Sequence, residues 1–283
     1  MFHQFIEYIE ERSVLILGFG REGRSTYNVI RRNLPDKQIG IADMRQVEID
    51  DPNVTLHCGE DYLDAIEKYD TVIKTPGISF RDVMVPHDTE VTCQTDLFLR
   101  FSKCTCVGVT GTKGKTTTST LIYEMVKQAS KKVCLIGNMG IPVLDTLENG
   151  DSEIAVIEMS SHQLEYTTAS PHIAVMTNIY PEHLDHYNGF SGYVAAKLNI
   201  IRHQIGCDYF ICNSEQDFDK YYNFSKALPS VIKVGKNGGK GDELIIAAAD
   251  VNDHVAVGPL NIQLGADTGC QAARGNSSFV GGI

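Results

Sequence analysis

The sequence predicts the α/β class, as two units in series, each a parallel sheet covered by helices. Three observations predict it. Short apolar, β-branched runs alternate with stretches of helical periodicity, which is the signature of βαβ units. Two strand-to-helix junctions are glycine-spaced turns, Gly18-Phe19-Gly20-Arg21-Glu22-Gly23 and Thr110-Gly111-Thr112-Lys113-Gly114. The second turn runs into Lys115-Thr116-Thr117-Thr118, a stack of lysine and hydroxyls that a plain connecting turn has no reason to carry.

Composition bounds the reading. At 283 residues the chain has room for about two domains, and a hydrophobic fraction of 42 % builds ordinary globular cores. The formal net charge of −11 argues against a general nucleic-acid binder, so any anion site is a local basic pocket. The opening Met1-Phe2-His3-Gln4-Phe5-Ile6-Glu7 lacks a basic region followed by an apolar run, so no secretory signal is expected. No window approaches an apolar membrane span. Eight cysteines include no Cys-x-x-Cys pair. They read as small buried hydrophobes of a reduced, cytoplasmic protein. Cys104-Thr105-Cys106 reads as alternating strand positions rather than a metal pair.

Phe2, Phe5, Ile6 and Ile9 fall at helical spacing and predict a short amphipathic helix at the start. Ser13 to Leu17 is a buried strand feeding the first glycine turn and a helix to about Asn33. Ile39 to Ala42 is a second strand, ending at Asp43, and Thr71 to Lys74 another, ending at Thr75-Pro76-Gly77. Gly-x-Gly-x-x-Gly between strand and helix, with an acid 20 positions after Gly23, is a Rossmann-like layout. Gly18, Gly20 and Gly23 would surround a diphosphate and Asp43 would face a ribose. Taken alone the layout suggests a nicotinamide cofactor, but the same turn holds any diphosphate at a helix N-terminus. Asp96 to Phe101 reads as a connecting helix. The domain boundary is placed near residue 100, giving units 1–99 and 100–283.

The second unit opens with Val107-Gly108-Val109 and the second glycine turn, followed by a helical pattern from Ser119 to Gln128. This is a phosphate cradle: glycines admit backbone N–H groups to an anion, and the helix directs its positive end at the charge. Lys115 would reach the terminal phosphates of ATP and the Thr116 hydroxyl would hold Mg²⁺. Gly111, Thr112, Lys113, Gly114 and Thr117 complete the candidate ATP-binding set. The first glycine of a general P-loop would fall at Val109, so this loop is a shortened variant. Val133 to Ile136, Ile154 to Ile157 and Ala174 to Thr177 are further strands, then a helix from about Ser191 to Ile205. Tyr209 to Cys212 and Val231 to Val234 continue the alternation. The turn-rich loop Lys236-Asn237-Gly238-Gly239-Lys240-Gly241-Asp242 is given no function.

Glu158 ends the strand beside the P-loop strand, the Walker-B position, where a carboxylate holds Mg²⁺. Asn178-Ile179-Tyr180-Pro181-Glu182-His183-Leu184-Asp185-His186 lies on the same sheet edge, where open α/β sheets bind ligands, and offers His183 as a metal ligand. Lys197, in Ala195-Ala196-Lys197-Leu198-Asn199, reads by itself as a solvated helix lysine.

Thr110-Gly111-Thr112-Lys113-Gly114-Lys115-Thr116-Thr117, Glu158-Met159-Ser160-Ser161-His162-Gln163-Leu164, His183-Leu184-Asp185-His186 and Ala195-Ala196-Lys197-Leu198 stand in the order of the Mur ligases. The chain therefore resembles that family of ATP-dependent amide-forming enzymes of peptidoglycan precursor synthesis, up to about Leu264. The shortened P-loop is similar to the family's own form. Gly18 to Gly23, Thr75-Pro76-Gly77-Ile78 and Gly137-Asn138-Met139-Gly140 are most similar to the members that add D-glutamate to UDP-N-acetylmuramoyl-L-alanine. The resemblance implies that the first unit holds a UDP moiety rather than a nicotinamide, with Asp43 and Arg45 near the uridine or diphosphate. Thr75, Pro76 and Gly77 would also line the substrate, with Asn138 and Ser160 facing its muramoyl-alanine end. It implies catalytic roles for Lys115, Glu158, His183 and Lys197, with Thr116, Glu158, His183 and a carbamylated Lys197 as metal ligands. That reverses the reading of Lys197 as a solvated lysine.

Family members carry a third, C-terminal domain, and residues 265–283 depart from the pattern leading to it. The expectation from sequence is a monomeric two-domain chain that binds UDP-sugar and nucleotide with little or no ligation. Rival readings are a nicotinamide-dependent oxidoreductase, a non-catalytic nucleotide or UDP-sugar binding module, and another member of the same family.

Overall fold

The computed structural model describes residues 2–129, 131–137, 142–148, 152–223 and 229–235. Helix α1 (Phe2–Glu10) buries Phe5, Tyr8 and Ile9, the face predicted by their spacing. The first unit then runs β1 (Val14–Leu17), α2 (Arg21–Asn33), β2 (Ile39–Asp43), β3 (Val54–Cys58), a 3₁₀ segment (Tyr62–Lys68), β4 (Thr71–Lys74), β5 (Glu90–Thr92) and α3 (Gln94–Phe101). The second runs β6 (Thr105–Thr110), α4 (Lys115–Gln128), β7 (Val133–Ile136), α5 (Val143–Glu148), β8 (Ile154–Glu158), α6 (Ser161–Leu164), β9 (Ile173–Met176), α7 (Phe190–Arg202), β10 (Tyr209–Asn213), a short 3₁₀ turn (Phe218–Lys220) and β11 (Ser230–Val234).

Strand order is β3-β2-β1-β4-β5 in the first sheet and β11-β10-β9-β6-β8-β7 in the second. All the pairings are parallel. Every side chain of β1 is buried, as a central parallel strand covered on both faces requires. In each sheet, turns on both sides of a central strand gather at one edge. The loops after β1 and β4 meet there in the first sheet, and those after β6, β8 and β9 in the second. That edge is where open α/β sheets bind ligands. Among the described residues no helix is long and apolar enough to cross a membrane.

Several elements depart from the expectations. Helix α4 starts at Lys115 rather than Ser119, directly from the glycine turn. Helix α7 stops at Arg202, where Asp208 Oδ2 accepts the Ile205 N–H at 2.8 Å and turns the chain toward β10. Strands β3 and β5 and helices α5 and α6 had no periodicity to announce them. Strand β3 is a sheet edge with exposed Thr55 and Leu56, and α6 spans a single turn. Cys58, Cys93, Cys104, Cys106, Cys134 and Cys212 are free, as expected, whereas Cys207 is disulfide-bonded. Asn138 and the 236–242 loop lie outside the described residues, as does the tail after Leu264.

The position chosen for a boundary, near residue 100, falls at the end of a helix that both units grip. Gln94 Nε2 donates to the Glu22 carbonyl and Thr26 Oγ1 of α2, while its Oε1 accepts the Val143 N–H of α5. Asp96 is fully buried and accepts from Thr92 Oγ1, Arg100 Nη1, and the backbone N–H groups of Thr168 (2.6 Å) and Ala169 (3.2 Å). One apolar cluster runs from Phe5 and Ile16 of the first unit through Leu97 and Phe98 to Ile157 and Ile200 of the second. Asp96→Ala is therefore expected to lower stability by about 2–5 kcal/mol, because it leaves the Thr168 and Ala169 N–H groups without their acceptor, at about 1–3 kcal/mol each, while Arg100 keeps Glu90 at 2.7 Å. Urea denaturation measures this, and a midpoint like that of the wild type would contradict it.

Candidate active site

The glycine turn after β6 is shaped by what flanks it. Gly111 has φ 154°, and a Cβ there would collide with Thr177 Oγ1 at the end of β9. Thr177 Oγ1 donates to the Lys113 carbonyl at 2.7 Å, while Asn178 accepts the Lys113 N–H through Oδ1 at 2.9 Å and donates Nδ2 to the Lys113 carbonyl. The Thr112 hydroxyl accepts the Tyr180 N–H and pairs with Tyr193 OH at 2.9 Å. Strand β9, its following loop and α7 thus hold the turn open from one side. Gly114 opens α4 in a left-handed conformation with no side-chain cap, so the first turn of a helix presents its N–H groups without a competing side chain. This fits a phosphate.

The predicted ATP and metal residues converge in part. Lys115 Nζ wraps back onto the Gly111 and Thr112 carbonyls at 3.1 and 3.2 Å. The Thr116 hydroxyl lies 2.9 and 3.1 Å from the two Glu158 oxygens, bringing together the two oxygen donors expected to hold Mg²⁺. Lys113 is exposed and pairs with Glu182 at 3.0 Å, which pulls the Glu182 carboxyl below its ordinary range. Thr117 is exposed beside them. Lys197, read from its local sequence as solvated, is 1 % exposed and donates to the Gly111 carbonyl at 2.8 Å. Burial, with Lys115 close by, pushes its ammonium down to about 7, against a smaller opposite pull from Glu182. His183 stands apart from these contacts. It is half exposed, has φ 53°, lies 3.9 Å from Glu182 and packs on His162, ring centroids 4.8 Å apart. Among the described residues no three His, Cys, Asp or Glu side chains converge as a metal cage. A Mg²⁺ site here fits one or two protein oxygens completed by phosphates, the usual habit of that ion.

The first sheet places its predicted residues around the β1–β4 crevice. A Cβ at Gly23 would collide with the Gly18 carbonyl, so this glycine lets α2 pack against the turn. Gly20 is exposed, with open space where a side chain would be. Asp43 braces the turn, since Oδ2 accepts the Phe19 N–H at 2.7 Å and Oδ1 the Arg45 N–H at 2.8 Å. The Arg45 side chain is exposed. Thr75 crosses onto Gly18, with Pro76 and Gly77 following at the rim. The Ser160 hydroxyl is engaged as the N-cap of α6, in a capping box with Gln163.

Sequence reasoning missed a buried polar group between the sheets. Lys74 Nζ lies 3.6 Å from Glu165 Oε2, and His186 Nε2 lies 3.1 Å from the same oxygen. His162 sits against His186 and His183, and burial together with those neighbours pushes it down to about 4. Burial also lowers Lys74, which Glu165 opposes, and raises Glu22 of the glycine turn to about 6. The one signal was a lysine closing the apolar strand Thr71-Val72-Ile73-Lys74.

The Mur ligase middle domain matches residues 109–263. UDP-N-acetylmuramoylalanine–D-glutamate ligase of Acetivibrio thermocellus is 39 % identical over 169 residues, covering 58 % of this chain and 36 % of that protein. The protein of the same name from Clostridium acetobutylicum is 30 % identical over 255 residues, covering 83 % and 54 %. The chain thus spans about half or less of the length of these curated relatives. Among solved structures, UDP-N-acetylmuramate:L-alanyl-gamma-D-glutamyl-meso-diaminopimelate ligase from Neisseria meningitides superposes with TM-score 0.47 at 15 % identity, covering 79 % of this chain and 78 % of that one. MurF ligase from Thermotoga maritima, in complex with ADP, gives TM-score 0.42 at 23 % identity, covering 80 % and 48 %.

The titration of Lys197 generates a prediction. The folded chain holds its last proton only below about 7, whereas an unfolded lysine keeps it to about 10.5. The unfolded state therefore binds more protons between these values, and this residue makes stability rise with pH through that window. The penalty is complete below pH 7. Lys197→Met removes the amine and fills its space, so it is expected to flatten that rise. Urea unfolding in CO₂-free buffer measures both slopes, and identical slopes would contradict a buried amine titrating near neutrality.

Proposed function

This chain belongs to the Mur ligase family, and on that premise we propose that it serves ATP-dependent addition of D-glutamate to UDP-N-acetylmuramoyl-L-alanine. The observation that carries the proposal is the β6 turn: uncapped helix N-terminus, Lys115 folded over the loop, Thr116 on Glu158, and Lys197 buried beneath Gly111. The curated relatives' name supports the choice of amino acid.

In this reading the substrate carboxylate attacks the γ-phosphorus of ATP, ADP leaves, and the D-glutamate amine then displaces phosphate from the acyl phosphate to form the amide. Two anions must approach, so cation placement is the main task of the protein. Lys115 swings from its loop carbonyls to the phosphates. Mg²⁺, which neutralises and orients phosphate oxygens, would be held by Thr116 and Glu158. Lys197 is poised for carbamylation because a near-neutral amine keeps a free lone pair for CO₂. The product carbamate, like His183, would serve a second ion. Gly111, Thr112, Lys113, Gly114 and Thr117 line the nucleotide. Gly18, Gly20, Gly23, Asp43, Arg45, Thr75, Pro76 and Gly77 line the UDP half, and Asn138 and Ser160 the muramoyl-alanine end. The same reading puts the chain in the cytoplasm as a monomer with two ligand clefts, 1–99 for UDP-substrate and 100–283 for nucleotide.

Lys115→Ala is expected to abolish binding of a non-hydrolysable ATP analogue while leaving the affinity for UDP-N-acetylmuramoyl-L-alanine within about twofold, since the two clefts lie on different sheets. Isothermal calorimetry of each ligand tests this. Loss of both affinities together in a folded variant would sink the two-cleft assignment.

A further inference from the structure

The first unit grips the turn that carries His183 at three points. Ser79 Oγ donates to the His186 carbonyl at 3.2 Å, and Arg81 Nη1 donates to the Asp185 carbonyl at 3.3 Å. The third grip is ionic. Lys74, 3 % exposed at the end of β4, lies 3.6 Å from Glu165 Oε2, and that oxygen lies 3.1 Å from His186 Nε2. Phe80 and Tyr166 pack their rings on the Lys74 ammonium at 5.5 and 5.2 Å, which shields the ammonium from water. All three first-unit residues flank or follow Thr75-Pro76-Gly77, the candidate substrate loop.

The turn so held is unusual. His186 and Tyr187 both donate their N–H groups to the His183 carbonyl, at 3.1 and 3.3 Å. Among the described residues His183 is the one non-glycine at positive φ. Such a conformation persists where its surroundings over-determine it. The His162 ring packs against both imidazoles, with centroids 4.3 Å from His186 and 4.8 Å from His183, and so bridges the two in space.

We propose that Lys74 and Glu165 are positioning residues for His183, so that the strand end bearing the substrate loop of one sheet sets the ligand-bearing turn of the other. This rests on reading His183 as a group that binds a metal-bridged substrate. Outer partners of a metal-ligating histidine typically change metal affinity by about ten- to a hundredfold when removed. Glu165 also supplies the anion that a buried Lys74 requires, so removing Glu165 alone strands a charge. The double variant Lys74→Met/Glu165→Gln removes the charge on both sides.

Hydrogen exchange on the whole chain tests the proposal. In the double variant and in Ser79→Ala, the His186 and Tyr187 amides are expected to exchange at least about tenfold faster, with Thr118 in α4 unchanged. In the double variant, Mn²⁺ affinity in the presence of ADP is expected to fall about tenfold. Lys74→Arg keeps the ion pair and is expected to restore both readouts to within about threefold of wild type. Unchanged exchange at His186 and Tyr187, equal acceleration at Thr118, or undiminished Mn²⁺ affinity would each overturn the positioning role. If the wild type binds no Mn²⁺ while the variants still loosen only this turn, positioning stands and the ligand reading of His183 goes.

Discussion

The amine of Lys197 donating to the carbonyl of Gly111 at 2.8 Å is the contact on which the rest of the second unit is arranged. Moving an ammonium from water into a protein interior costs several kcal/mol after relaxation. Among the described residues, the contacts of the Lys197 amine are to neutral groups. The Gly111 carbonyl, the Thr110 hydroxyl at 3.4 Å and the face of Tyr193 at 4.9 Å supply partial negative charge, and the amine sheds its proton more easily than usual. A core built for stability alone would place an apolar side chain there. The lysine brings a nucleophilic nitrogen under a phosphate loop, which is a chemical reason for tolerating the cost.

A glycine serves each side of that turn: Gly111 fits the crowded side, where a Cβ would meet Thr177, and Gly114 opens the α4 side. Thr177, Asn178, Tyr180 and Tyr193 crowd it from the β9–α7 side and occupy the Lys113 backbone groups and the Thr112 hydroxyl. The α4 side is left to Lys115, Thr116 and the helix N-terminus. A chain with net charge −11 still gathers Lys113, Lys115 and Lys197 around this one loop, from the turn itself, the start of α4 and the middle of α7.

The two sheets are joined by buried polar contacts as well as by apolar packing. Gln94 and Asp96 satisfy backbone groups on both sides of α3, and Lys74 of the first unit pairs with Glu165 of the second. Each is directional, so each specifies how the units face one another in a way that contact between aliphatic side chains does not. The end of β4, just before Thr75-Pro76-Gly77, and the histidine turn of the other unit meet through Lys74, Glu165 and His186.

What the sequence determined by itself was local: apolar runs such as Ser13 to Leu17 and Ile154 to Ile157, and glycine-spaced turns followed by helices. These follow from side-chain periodicity and backbone sterics within a dozen residues, so the α/β class, the glycine turn before α4 and the place of Glu158 were readable. Tertiary structure decided the rest. Edge strand β3 and the one-turn α6 lack a pattern of their own, and pairing or capping defines them. Lys197 looks like any helix lysine until α7 packs beneath Gly111, 86 residues away in sequence. Asp43 bracing the first turn, Ser160 spent on a helix cap, and Lys74 meeting Glu165 are encounters between groups whose partners are chosen by the packing of sheets. Burial and charge pairing depend on what arrives from elsewhere in the chain, and no local window contains that information.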